Sequence, residues 1–296
     1  MQLIEVPCPV CADSAYDVVF EDTLGARPPV FGYKWVPEIR DMYRAVRCRT
    51  CHHMYSSPRL ENMYAYYADV SDDGYLDNSG LRRATANRVL GTMRRFVPSG
   101  RLLDVGCSTG DFLDVARQWY DVEGLELSVW GAAIARQHGL TVHPATLQQH
   151  ARTGVRYDVV TMWGVIEHLE YPAAEVRHVN HLMNVGGIFC LWTGDSESFW
   201  ARVMGRNWWY ILGQHVQFFS WRSMDRLMAD NGFERVHKGV YPYVISFKYL
   251  GISLSRYRGV GALARSLFRV LGLDRRQFVL RKSDEMFAIY RKVRET

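Results

Sequence analysis

Residues 101–117, RLLDVGCSTGDFLDVAR, constrain the fold more than any other stretch of the chain. Leu102, Leu103 and Val105 read as a short buried strand, and Phe112, Leu113, Val115 and Ala116 then fall at helical spacing. Gly106 and Gly110 therefore sit on a strand-to-helix turn, where glycine lets the backbone bend sharply and approach a ligand closely. Some twenty residues on, VEGLELS (122–128) brings a second strand to Glu126, at a position where a carboxylate accepts hydrogen bonds from ribose hydroxyls. The stretch reads as the opening of a doubly wound α/β sheet with a nucleoside cradle.

A dinucleotide turn requires G-x-G-x-x-G, but Ser108 and Asp111 stand where its second and third glycines would fall. Asp104 and Asp111 flank the loop, and each close carboxylate–phosphate pair would cost on the order of 4 kcal/mol at an effective dielectric near 20. Carboxylates suit a ligand with cationic groups. S-adenosylmethionine is one, with an α-amino group, a sulfonium, a ribose and no phosphate.

The loop resembles the first motif, D-x-G-x-G-x-G, of class I S-adenosylmethionine-dependent methyltransferases: Asp104, Gly106 and Gly110 match, and Ser108 replaces the middle glycine. Residues 165–172, VIEHLEYP, resemble that family's fourth-strand motif, V-x-E-H-L followed by proline; Gly164 stands where members often carry Asp. Further likeness in TGD (193–195), RNWW (206–209), HVQFFS (215–220) and NGF (231–233) extends over nearly the whole chain, toward a subfamily with N-terminal cysteine knuckles. Many of its members accompany glycan or secondary-metabolite pathways. The resemblance implies a Rossmann-like, seven-stranded sheet, with Asp104 near the methionine moiety, Gly106 and Gly110 lining it and Glu126 on the ribose. Candidate cofactor contacts are Asp104, Gly106, Cys107, Ser108, Gly110, Phe112, Glu126, Leu127 and Trp163. The thiols of Cys107 and Cys190 themselves read as small core groups.

Cys8-Pro-Val-Cys11 and Cys48-Arg-Thr-Cys51 form two C-x-x-C pairs, the tetrahedral thiolate set that zinc prefers. Disulfides or a redox C-x-x-C are the rival readings; the first lacks a secretory signal and the second a thioredoxin-like context. His52 and His53 follow the second knuckle, but four cysteines fill the site. The long connection predicts an elaborated hairpin around residues 31–35. Residues 1–70 read as zinc-binding module and Tyr-rich bridge, and 71–296 as the methyltransferase domain. In the bridge, Tyr64, Tyr66, Tyr67 and Tyr75 either pack the module boundary or form a lid over cofactor and acceptor. The helix predicted over 81–96 carries five arginines, most simply a solvated face.

With 296 residues and 48% hydrophobic content the chain can bury a full α/β core with about a hundred residues left over. A net charge of +5 does not by itself mean nucleic acid, and Arg44, Arg47 and Arg49 beside the module stand among Glu38, Asp41, Glu61 and Asp69. A zinc-ribbon nucleic-acid binder with a degenerate cofactor fold is the rival of another class. The N-terminus lacks the pattern of a leader and no apolar run reaches a membrane span, so a cytoplasmic protein is expected. Strand six is predicted over 234–240 and an antiparallel strand seven over 284–291. Before the latter, residues 246–274 form an insertion in which Val260, Leu263, Leu267, Val270 and Leu271 repeat at helical spacing, with Arg258, Arg265 and Arg269 opposite. It is expected to roof the acceptor side, weak peripheral membrane contact being the lesser reading.

These features predict methyl transfer from S-adenosylmethionine to an oxygen of a small molecule or sugar-containing acceptor; a carbon or nitrogen acceptor is the alternative. A hydroxyl acceptor calls for a base, and His168 and His215 are the histidines expected at the crevice, with Glu167 placed to orient His168.

Overall fold

The computed structural model describes residues 3–32, 36–256, 259–274 and 276–296; Tyr33 to Trp35 of the expected hairpin, and Arg258, lie outside the described residues. Seven strands build the main sheet: β1 (Gly100–Val105), β2 (Tyr120–Leu125), β3 (Thr141–His143), β4 (Tyr157–Trp163), β5 (Met183–Gly194), β6 (Phe233–Gly239) and β7 (Glu285–Lys292). Their order is β3-β2-β1-β4-β5-β7-β6, with β1 to β5 parallel and β7 inserted antiparallel to both β5 and β6. The central strands are apolar on both faces: Leu102, Leu103, Val159, Val160, Phe189 and Leu191 are all fully buried. That is what a parallel sheet covered by helices on two sides demands.

Strand order reverses between β1 and β4, so the loops after them diverge and open a crevice at their carboxyl ends. Helices Ser79–Met93 and Asp111–Ala116 cover one side, whereas Pro172–His181 and Trp221–Asp230 cover the other. Proline at the first turn of the third, and a Ser220–Ser223 capping box on the fourth, fix where each begins.

The N-terminal residues form an antiparallel sheet from Tyr16–Phe20, Ala45–Cys48 and Met54–Ser56, completed by Gln217–Phe218 from beyond β5. Arg59 and Glu170 join the two parts in a fully buried pair at 2.9 Å, and Arg59 also donates to the Glu170 carbonyl at 3.0 Å. The guanidinium fork thereby fixes the segment entering the bridge against the loop after β4.

Between β6 and β7 a hairpin pairs Tyr243–Ser246 with Gln277–Leu280 and carries helices Phe247–Ser253 and Val260–Val270 at its tip. Of the segment expected to roof the acceptor side, Tyr249, Ile252 and Ser253 of the first helix line a cavity, whereas the second helix does not. It packs instead through Gly261, beside Ser255, and Phe268, whose ring lies 5.0 Å from Phe247. Val260, Leu263, Leu267, Val270 and Leu271 face outward.

Candidate active site

The turn after β1 is built as the glycines implied. Gly106 has φ +71°, and its amide and that of Cys107 donate to the Leu125 carbonyl at 2.8 and 3.0 Å, tying the loop to β2. A Cβ on Gly106 would stand 2.7 Å from Val165 Cγ2. Gly110 has another role: a Cβ there would meet Leu140 and Ala135, so this glycine serves helix packing and does not face the cavities. Gly164 is required by the backbone, with φ +69° and Trp192 2.5 Å from where a Cβ would be.

Glu126 is buried just past β2, its carboxylate accepting the Ser108 and Ser128 amides at 2.7 Å each. Asp104 is likewise buried, accepts Thr161 Oγ1 at 2.6 Å, and is pushed up to about 8 by desolvation, with the Glu126 charge adding to the rise. Burial raises Glu126 as well. Of the two acids in the sequence's charge argument, Asp104 has no cation paired with it among the described residues, and the argument fails for Asp111. Arg82 and Arg83 reach Asp111 at 2.7 and 3.2 Å, Ser79 bonds it too, and Arg83 also pairs with Asp114. These two arginines thus neutralise the loop's helix instead of forming a solvated face.

Two adjoining cavities of about 580 and 400 Å³ share Gly106, Ser108 and Trp163 in their walls. The smaller adds Asp104, Cys107 and Phe112; the larger runs from Glu126 and Leu127 to His168 and His215. Every candidate cofactor residue except Gly110 therefore lines one or both of these adjoining cavities. The Trp163 indole N–H is buried without a hydrogen-bond partner among the described residues, as expected where a ligand is to supply the acceptor. Two buried acids with no cation paired to them among the described residues, a glycine cradle and this orphan donor fit S-adenosylmethionine. Cys107 stays inert, burial holding its thiol well above the usual range.

At the far end His168 Nδ1 lies 3.0 Å from the Gln214 carbonyl and 2.8 Å from Tyr67 Oη, while His215 Nδ1 lies 2.8 Å from the Tyr210 carbonyl. A carbonyl only accepts, so each ring carries its proton on Nδ1 and presents an unprotonated Nε2. The rings meet edge to face at 4.7 Å. Burial brings His168 down to about 4 and His215 well below its usual value, so both are neutral at pH 7. Glu167 does not orient His168: it accepts from Thr193 Oγ1 at 3.1 Å, and burial lifts it to about 7. Ligand atoms of Glu167, His168 and His215 fall within 4.8 Å of one another, close enough for a divalent cation, a role that would compete with proton acceptance.

Sequence reasoning did not assign Tyr210 to the site, and it named Tyr67 only as part of a lid that could equally be boundary packing. The bridge tyrosines divide their work: Tyr64, Tyr67 and Tyr75 wall the cavities, Tyr64 also donating to Glu175 at 3.4 Å, and Tyr66 stacks on Phe31 at 5.2 Å. The tryptophan pair is fixed by a residue from the far end of the chain, Asp284, which accepts both Trp208 and Trp209 indole N–H groups at 2.6 Å.

The four cysteines converge. Cys8 and Cys51 Sγ lie 3.4 Å apart, Cys11 and Cys48 3.5 Å, and all four within 4.8 Å; none is disulfide-bonded. Each knuckle closes alike, the Ala12 amide on the Cys8 carbonyl at 2.8 Å and the His52 amide on the Cys48 carbonyl at 3.0 Å, both turns ending in a left-handed residue. His53 is turned away to Gln217 and Ser223.

Comparison with known proteins agrees with this geometry. A family described as a methyltransferase domain matches residues 79–238, more than half of the chain. Over 121 residues the chain is 38% identical to the ubiquinone biosynthesis O-methyltransferase of Serratia proteamaculans, covering 38% of this chain and 49% of that protein. The chain thus spans about half the length of the curated relatives it matches. An S-adenosylmethionine-dependent methyltransferase from Archaeoglobus fulgidus superposes with a TM-score of 0.50 at 16% identity, over 75% of this chain and all of that one. A chain from the complex of the Haloferax volcanii Trm112 methyltransferase activator with a methyltransferase reaches 0.54 at 13% identity, over 80% and 100%. These two likenesses concern the fold. Because the family match spans the crevice and both acid-tipped strands, the chain belongs to the methyltransferase-domain family, on the class I, S-adenosylmethionine-dependent fold.

Proposed function

We propose that this chain methylates an oxygen of a small-molecule or sugar-containing acceptor, in a glycan or secondary-metabolite pathway. The observation that carries the reading is the run of one cavity from Glu126, past Gly106, to two neutral imidazoles. S-adenosylmethionine, when bound, supplies a methyl already activated on a sulfonium. The chain's task is then to position the acceptor, for which good orientation contributes roughly 7 to 11 kcal/mol, and to take its proton. An imidazole with a low pKa is adequate here, since an alcohol gives up its proton as its oxygen becomes cationic. His168 Nε2, with Nδ1 held by Gln214, is the favoured acceptor, and His215 the second. Zinc on Cys8, Cys11, Cys48 and Cys51 is assigned a structural role.

Two measurements test this. At saturating cofactor, His168→Ala or His215→Ala is expected to lower turnover by ~10²- to 10⁴-fold with cofactor affinity unchanged; a loss under tenfold in both removes the base. His168 stays neutral down to about pH 4, so the acid limb assigned to it falls near 4 and not near the usual histidine value.

The second concerns Asp104. Raised to about 8, it is mostly protonated at pH 7, and a cationic ligand favours its ionised form. Affinity for S-adenosylhomocysteine should therefore rise by roughly twentyfold between pH 6.5 and 8.5, and Asp104→Asn should flatten the rise. A pH-independent affinity in the parent chain would refute this role.

A further inference from the structure

The segment between β6 and β7 holds more positive charge than the protein's whole net charge. From 247 to 282 the sequence has nine Lys or Arg and one acid, Asp274, a net +8, while the whole chain is only +5. The remainder of the molecule is therefore net acidic. Lys248, Arg269, Arg276 and Arg281 are all exposed, and none forms an ion pair with a described residue. On the same segment, helix Val260–Val270 turns an apolar stripe to solvent: Leu263 is 73% exposed, Leu267 51% and Val270 81%.

A helix that packs by one edge and leaves five aliphatic side chains outside has surface that water does not favour. The unpaired positive charge beside it selects among occupants. A second copy of this segment would bring one +8 patch against another, whereas an anionic bilayer complements both features. We propose that this segment is a docking surface for anionic membranes, the leucine stripe entering the headgroup region and the basic side chains meeting lipid phosphates.

The surface is continuous with the site. Tyr249 and Ile252, on the preceding helix, are part exposed and also line the large cavity. Docking through the stripe brings the mouth of that cavity to the lipid surface, so acceptors resident in or tethered to the bilayer would reach it directly. The docking does not depend on the methyl-transfer reading.

Co-sedimentation of the full chain with phosphatidylcholine vesicles, with and without phosphatidylglycerol, tests it. Binding is expected to need phosphatidylglycerol, to weaken as salt is raised, and to fall about tenfold or more in the Leu263→Glu, Leu267→Glu double variant. The replaced residues are exposed, and unchanged S-adenosylhomocysteine affinity would show that the fold persists. Absent binding, equal binding to both vesicle types, or a dimer in solution that the same variant dissolves would each overturn the proposal.

Discussion

The Gly106→Val chain is expected to fold and to bind S-adenosylmethionine at least about a hundredfold more weakly than the parent. Two costs add. At φ +71° a β-branched side chain is held in a backbone region it strongly avoids, a strain of order 1–3 kcal/mol. Its Cβ would also stand 2.7 Å from Val165 Cγ2, and Gly106 is in the wall of both cavities, so the added methyls intrude where the methionine moiety is to lie. Relaxation by moving Val165 disturbs the turn that places Glu167 and His168. Calorimetry with S-adenosylmethionine and S-adenosylhomocysteine measures the loss, and far-ultraviolet circular dichroism checks the fold. Gly106→Ala, with the same Cβ but no branch, should lose less. Equal affinity for the valine variant and the parent, or a preference of the parent for NAD, would show the cofactor assignment to be wrong.

What the sequence made legible is what local pattern can encode. The central strands are short apolar runs buried on both faces, the glycines of the turn need positive φ, and Asp104 and Glu126 mark strand ends; all of these are properties of one stretch at a time. The antiparallel β7 was also readable. Pairings between distant stretches were not. Nothing near Gln217 announces that it completes a sheet begun at Tyr16, and the hairpin of Tyr243–Ser246 with Gln277–Leu280 closes over a long intervening segment.

The same limit applies to side chains. Helical periodicity reports that Leu263 and Leu267 share a side, but not which side finds a neighbour, and in the structure the stripe lies outward. Glu167 adjoins His168 in sequence, yet the bonds fixing the ring come from Tyr67 and Gln214. Adjacent residues on a tight turn point apart, and a phenol from another segment reaches further. Arg82 and Arg83 looked like surface charge because their partner, Asp111, is reached only once two helices pack.

Losing any one of the four knuckle cysteines is expected to unfold the first sixty-odd residues. Four sulfurs at about 2.3 Å from a tetrahedral ion lie about 3.8 Å apart. The observed separations of 3.4 and 3.5 Å, with all four atoms inside 4.8 Å, bracket that value without any disulfide. Four thiolates in one mostly buried space repel one another unless a cation joins them, and with none supplied the hydrogen bond to Cys51, with burial adding, pushes the Cys8 thiol far up. A metal there would be asked to do much, because the strands around it are short. Structural zinc contributes ~10 to 16 kcal/mol to small domains at neutral pH, comparable with or larger than the ~5 to 15 kcal/mol that holds a whole domain together. Cys8, Cys48 and Cys51 also belong to the same buried cluster as Leu103 and Val105 of β1, so the damage should reach the main sheet as a lowered melting temperature. Parent protein prepared without chelator should contain one zinc per chain by elemental analysis. Cys8→Ser and Cys48→Ser should lose it, become cleavable by protease between the N-terminus and Leu60, and melt earlier. A parent free of zinc, or a Cys8→Ser chain as resistant to protease as the parent, would leave the knuckles without their metal and this account of the N-terminal sheet without its cause.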